Sequence, residues 1–325
     1  MKLPRRRFLH LAAGAVALPV ISRVAWAQTY PMRPVRMIVG LTPGSGPDIL
    51  ARLIGQWLSE RLGQQFLIEN RPGAAGNIGT EGVVRAPADG YTLLLVGAAN
   101  AINATLNEKL SFDFLRDIAP VAGITRERLV MVVHPSIPAK TVPEFIAYAK
   151  ANPHKVTMAS SGIGGTTHVS GELFKMMAGI DMIHVPYRGG NQVITDLVAG
   201  QVQVGFMGLS VAVEHIRSGK VRALAVTTAT RSDVLPDIPT VGDFVPGYES
   251  SGWVGVGAPK NTPAEIVEKL NKEINAALAD PKTKVRLADM GGAVFSGSPA
   301  DFGNVIAEET EKWGKVIRAA NIKPE

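Results

Sequence analysis

From Val35 onward the chain alternates short apolar runs with longer stretches of helical periodicity, and glycine, serine and threonine make the joints between them. The run VRMIVGL (35–41) reads as a buried strand. After the turn TPGSGP, Asp48 takes a helix N-cap position, and Ile49, Leu50, Leu53, Ile54, Trp57, Leu58 and Leu62 recur at i, i+3, i+4 and i+7 before Gly63 stops the helix. QFLIEN is a second strand, RPGAAGNIG a loop, TEGVVRA a short helix and YTLLLVG (91–97) a third strand. The second half uses the same grammar. ERLVMVVHP (127–135), KVTMAS, DMIHVPY (181–187), QVQVGFM and VRALAVT are strands, and VPEFIAYAKAN, about 167–177, NQVITDLVAG and SVAVEHIRSG are helices. Such alternation predicts an α/β fold of mostly parallel sheets flanked by helices. A proline-rich stretch at 228–250 breaks the pattern, SGWVGVGAP resumes it, and helices at 263–279, 281–289 and 299–318 close the chain. One unit, strand then small-residue turn then helix, stands near 44 and again near 162. Two similar α/β lobes follow from it, with the C-terminal helices returning to pack on the first.

The first residues obey a different rule. Arg5, Arg6 and Arg7 precede an apolar stretch from Phe8 to Ile21 and then Ala25-Trp26-Ala27. A basic segment, an apolar segment and a small-x-small site form an export signal, with cleavage expected after Ala27. Arg5-Arg6-x-Phe8-Leu9 resembles the twin-arginine signature, with His10 where a lysine is usual, and the general secretory route uses a basic start as well. The expected address is the periplasm. Residues 1–27 hold five basic residues and no acid, so the formal +6 of the whole chain leaves +1 beyond them. The high isoelectric point therefore belongs mostly to the leader and does not indicate a nucleic-acid partner.

Cysteine is absent, which removes disulfides, thiolate catalysis and cysteine-based metal sites together. There is no G-x-S-x-G elbow, no H-E-x-x-H and no P-loop. The histidines at 10, 134, 154, 168, 184 and 215 show no spacing that suggests a metal site. GIGGTT matches two positions of the dinucleotide fingerprint, but Thr167 occupies the third and no acid closes a following strand. Ser161 as a nucleophile would need a base within reach. Neither a cofactor nor a metal is expected.

The same residues suit binding. A carboxylate accepts several N–H and O–H donors at once, and the amides from Gly162 to Thr166 with the hydroxyls of Ser160, Ser161, Thr166 and Thr167 would supply them at a helix start. Gly44, Ser45 and Gly46 offer a second set. Both turns follow strands, where open α/β sheets bind ligands, and two lobes closing on a small anion is a hinge geometry.

Four long blocks carry a resemblance: ARLIGQWLSERLGQQFLIENRPGAAGNIGTEGVVRAPADGYTLLLVG, SSGIGGTTHVSGELF, VPYRGGNQVITDLVAGQVQVGFM, and the segment from IRSGKVRALAVT to VGAPKNTP. In this order, from about Tyr30 to the C-terminus, they resemble the Bug-type receptors, the periplasmic solute-binding proteins of tripartite tricarboxylate transporters. The resemblance implies a two-lobed periplasmic binding protein of type II, with one lobe of 28–125 plus 251–325 and the other of 126–250. The strands linking them would be about 126–133 and 251–257. It implies a monomeric, non-enzymatic receptor that captures a small organic acid and serves membrane transporter subunits. Carried over position by position, ligand contacts would fall on Thr42, Gly44, Ser45 and Gly46, on Asn100, on Ser160, Ser161, Gly164, Gly165 and Thr166, on Tyr187, Arg188 and Gly189, and on Met207.

Some positions depart from the family pattern. The first turn reads Pro43-Gly44-Ser45-Gly46-Pro47-Asp48 rather than P-G-G-x-x-D. Met207 replaces a common aspartate, which makes the cleft wall more apolar and weakens the expectation of an amino group on the ligand. The loop after the third strand, GAANAINA, has few hydroxyls and points to a ligand with an apolar portion. Two other readings stand beside transport: a ligand sensor feeding a signalling partner, and a periplasmic hydrolase using Ser161.

Overall fold

The computed structural model describes residues 30–107 and 109–324. The leader read at 1–27 lies outside them. The first half builds β1 (Val35–Val39), α1 (Gly46–Leu62), β2 (Phe66–Asn70), α2 (Asn77–Val84), β3 (Thr92–Gly97), α3 (Ala98–Leu106) and the short α4 (Phe114–Asp117). A long strand, β4 (Ile118–Val133), leads to α5 (Val142–Ala151), β5 (Thr157–Ser160), α6 (Thr166–Ala178), β6 (Ile183–Pro186), α7 (Gly190–Val198), β7 (Val204–Gly208), α8 (Leu209–Arg217) and β8 (Arg222–Val226). β9 (Ser251–Pro259), α9 (Ala264–Ala279), α10 (Pro281–Asp289), β10 (Gly292–Val294) and α11 (Pro299–Ala319) complete the chain.

The strands lie in the order β2-β1-β3-β9-β4-β7-β5-β6, with β8 and β10 also pairing β4. β1, β2 and β3 are parallel to one another, as are β5, β6 and β7. β4 joins the two sets: Ile118 to Arg128 pair antiparallel with β9, and Leu129 to Val133 pair antiparallel with β7. The strand expected to begin near 127 is therefore longer by the run Ile118–Arg126. That run, IAPVAGITR, contains a proline and a glycine and has two register shifts against β9, so it lacks the continuous apolar signature of a central strand.

Strand alternation sends successive residues to opposite faces and so divides the core. On β1, Ile38 joins one cluster while Met37 and Val39 join another with Leu50, Ile54, Leu58 and Leu270. On β4, Met131 and Val133 pack with Phe145, Phe174 and Phe206, whereas Val130 and Val132 face Val193, Leu197 and Leu209. The first of these clusters is continuous beneath both strand sets and takes in Phe302, Trp313 and Val316 of α11. The C-terminal helix thus returns over the junction. Close approach at that junction requires glycine: a Cβ on Gly255 would lie 2.3 Å from Phe302 Cζ and 2.5 Å from the carbonyl oxygen of Ala122.

Two local expectations are corrected. The N-cap of α1 is Ser45, not Asp48, which lies inside the first turn. The segment 98–103 after β3 is not a loop but the start of α3, whose Ala98, Ala101, Ile102 and Leu106 pack into the core. Alanine favours helix intrinsically, so GAANAINA carried a helical signal.

Candidate functional site

Five helices, α1, α3, α6, α7 and α8, begin just beyond the carboxyl ends of the parallel strands β1, β3, β5, β6 and β7. Each helix leaves its first N–H groups without intrahelical partners. Two recesses lie among these ends. One, of about 230 Å³, is lined by Ser160, Ser161, Thr166, Thr167, Gly190, Phe206, Met207 and Gly208 among others. The other, of about 210 Å³, is lined by Gly40, Pro47, Thr80, Gly97, Ala98, Asn100, Gly252 and Trp253 among others. Both are lined by Glu127 and Thr166, where they meet. A wider surface basin of about 1100 Å³, between α2, α3 and the C-terminal residues, contains none of the sequence-predicted positions.

The turn after β5 is tied internally before any ligand is considered. Ser161 N–H donates to Thr167 Oγ1 at 3.0 Å, and the two hydroxyls lie 2.8 Å apart. Gly164 N–H donates to His168 Nδ1 at 3.0 Å, and Gly165 N–H to the carbonyl of Gly162 at 3.2 Å. Those two amides are thus occupied within the turn. Gly164 meets the first strand set directly, since a Cβ there would come 2.3 Å from Leu106 Cδ2 of α3. Thr166 and Thr167 open α6 with N–H groups that the helix does not pair.

Ser160 Oγ sits 2.7 Å from His184 Nε2. Sequence reading missed this pair because the residues belong to adjacent strands, 24 positions apart, with Ser160 paired across the ladder to Pro186. Burial, followed by the charge of Lys175, lowers the His184 pKa to about 4. Ser161, the candidate nucleophile, has the Thr167 hydroxyl as its partner instead of a base.

The first turn lies at the rim. Thr42, Gly44 and Gly46 are exposed and line neither recess, while Leu41 and Pro47 line the second. Gly44 N–H donates to Asp48 Oδ2 at 2.9 Å, and Arg52 and Asn70 bond the same carboxylate. Burial pushes the Asp48 carboxyl up, but the hydrogen bonds from Arg52, Gly44 and Asn70 hold it below the ordinary value. Asp48 therefore fixes the turn. Ser45 makes no capping bond, and its buried hydroxyl has no partner.

Asn100 lines the second recess with its side chain already engaged: Oδ1 accepts from Gly97 N–H at 2.9 Å and Nδ2 donates to Thr80 Oγ1 at 3.0 Å. Met207 lines the first recess beside Phe206. Tyr187 Oη donates to Asp196 Oδ2 at 2.8 Å, Arg188 is exposed, and neither they nor Gly189 line a recess, although Gly190 does. The recesses also hold residues the sequence reading did not single out, chiefly Glu127, Thr80, Gly208, Gly252 and Trp253. For Glu127 a signal was present. In RER, period-two alternation puts the glutamate on the face opposite both arginines.

Two parallel-stranded α/β sets sharing crossing strands, with recesses at their helix starts and no cation among the lining residues described, define a two-lobed solute-binding protein. The chain belongs to the tripartite tricarboxylate transporter family receptors, whose family model matches residues 50–322. It is 34% identical to protein BugT of Bordetella pertussis (strain Tohama I) over 318 residues, 97% of this chain and 96% of that one. Among solved structures it is similar to R. palustris Rpa4515 with adipate, at 38% identity and TM-score 0.77 over 91% of this chain and 100% of that chain. It is also similar to MatC (Rpa3494) from Rhodopseudomonas palustris with bound malate, at 31% identity and TM-score 0.74 over 89% and 100% of the two chains. The family is one of periplasmic solute-binding receptors rather than enzymes. Among the described residues no helix is long and apolar enough to cross a membrane.

Proposed function

We propose that this receptor captures a small organic carboxylate between its lobes and presents it to membrane transporter subunits, working as a monomer in the periplasm after removal of residues 1–27. The lobes are taken as 28–125 with 251–325 and as 126–250. Their closure over the ligand is the mechanism, hinged where β4 and β9 run between them. One observation carries the reading. The two recesses meet at Thr166, whose hydroxyl makes no hydrogen bond to another described residue and whose N–H opens a helix. The related structures of Rpa4515 with adipate and MatC with bound malate support a carboxylate as the ligand class.

Within this reading Ser160, Ser161, Thr166 and Met207 form one wall of the site and Asn100 belongs to the opposite wall. Thr42, Gly44, Ser45, Gly46, Tyr187, Arg188 and Gly189 lie at the rim and approach the ligand only on closure. Gly164 and Gly165 shape the turn and bring it against α3. A thermal-shift screen of mono-, di- and tricarboxylates tests the proposal. Saturable stabilisation with unchanged ligand recovered supports it. Turnover, or no response across the panel, rejects it.

A further inference from the structure

Glu127 stands at the middle of β4, where the strand passes between the two recesses and lines both. Its neighbours leave a carboxylate-sized space. Across the ladder on β9 is Gly252, and on the other side, at the end of β7, is Gly208. A Cβ on Gly208 would come 2.7 Å from Glu127 Oε1, and one on Gly252 would come 2.9 Å from Oε2. Side chains at either position would displace the carboxylate from the cleft.

No described residue neutralises this group. Arg126 lies over the Phe295 ring at 4.6 Å and 3.9 Å from Glu249, and Arg128 lies 3.7 Å from Asp233. Both arginines are thereby engaged elsewhere, as their positions one residue to either side of Glu127 require. Glu127 is reached by solvent through the open cleft, yet protein crowds it enough to push its carboxyl above the usual range, with no opposing charge or hydrogen bond. Among the described residues it is the only ionisable side chain lining either recess.

A ligand bearing only carboxylates would bring like charge beside Glu127 as the lobes excluded water, which is costly unless a proton is taken up. A ligand with a cationic nitrogen would supply the missing partner. We infer that Glu127 is a specificity-determining residue that supplies the acid missing at Met207 in the same recess, and that the ligand is a small amino carboxylate, its nitrogen on Glu127 and its carboxylate on the hydroxyl- and N–H-rich walls. The inference rests on the carboxylate reading above and narrows it.

Two matched pairs of probes test it by calorimetric titration at pH 7.5: 6-aminohexanoate against adipate, and aspartate against malate. 6-Aminohexanoate carries a protonated aminomethyl group in place of one adipate carboxylate, and aspartate carries an ammonium in place of the malate hydroxyl. The amine-bearing member of at least one pair is expected to bind the native protein at least about tenfold more tightly, as a charge-assisted hydrogen bond supplies. Glu127→Gln, which preserves shape, should abolish that advantage. Equal or tighter binding of adipate or malate, with a ratio unchanged in Glu127→Gln, overturns this inference and leaves the carboxylate reading standing. So does dicarboxylate binding that strengthens as pH falls, which would mean a proton shared with Glu127. If none of the four binds, the inference falls together with the carboxylate reading. Should Glu127→Gln fail to fold, the native ratio decides alone.

Discussion

The imidazole of His168 lies flat against that of His184, ring centroids 3.6 Å apart and planes 8° from parallel. His168 receives the Gly164 N–H, and His184 meets the Ser160 hydroxyl. The stacked rings therefore brace the turn after β5 from beneath. Burial comes first among the causes that lower their pKa values, to about 3 for His168 and about 4 for His184. The second ring and Lys175 add to the shift on His168, and Lys175 adds to that on His184. Glu172, 3.8 Å from His168 Nε2, and Lys175, 3.0 Å from Glu172, complete the charged surroundings.

A pH dependence follows. The unfolded histidines protonate near their ordinary value of about 6.5, whereas the folded pair resists down to about 4 and about 3. Between those limits the unfolded chain binds more protons, so stability is lost as pH falls from about 6.5 towards 4. Urea unfolding at pH 7.5 and pH 5 should show the loss, and the double variant His168→Asn, His184→Gln should show a smaller one. Equal pH dependence in the two proteins would count against the coupling.

Gly208 and Gly255 predict opposite outcomes for the same change. Gly208→Ala meets only the far end of the Glu127 side chain, which can swing aside. Its stability cost should stay below about 1 kcal/mol while ligand affinity changes. Gly255→Ala meets the Phe302 ring and the carbonyl of Ala122, neither of which can yield cheaply, so a loss of about 2 kcal/mol or more is expected. Chemical denaturation of the two variants side by side distinguishes them.

Thr166→Val removes a hydroxyl that no described residue uses and keeps the side-chain shape. Within the proposed function it should weaken carboxylate binding about three- to tenfold, the worth of one net hydrogen bond, and leave the unfolding midpoint of the free protein unchanged. A midpoint that falls by several degrees with affinity intact would give Thr166 a structural role only.

Phe302 is 1% exposed and packs edge-on against Trp253 at 5.6 Å and Phe295 at 5.8 Å. Phe302→Ala should cost about 3–5 kcal/mol, because α11 would lose its anchor on the junction. Equilibrium unfolding measures it, and a cost under about 1 kcal/mol would mean that α11 is held by other contacts.

Much of this architecture was legible in local pattern. Strands such as VRMIV and helices such as 264–279 declare themselves through their period, and Gly63 and Gly179 end helices with positive φ values of 71° and 62°. The donor-rich turn at 160–167 was equally visible, since glycine and hydroxyl residues before an amphipathic run carry their meaning within a dozen positions. The early half of β4 was not: Pro120 and Gly123 are unfavourable in an isolated strand, and only pairing with β9 sustains them.

The site shows the same division. The sequence by itself determined which turns could offer N–H and hydroxyl donors, because that depends on neighbouring residues alone. Tertiary structure decided which donors are spent inside the fold, as with Gly44 on Asp48 and Gly164 on His168. It also set Glu127 between Gly208 and Gly252. Those relationships rest on the register of strands roughly 80 and 125 residues away, and a one-residue slip in either would turn every side chain to the other face.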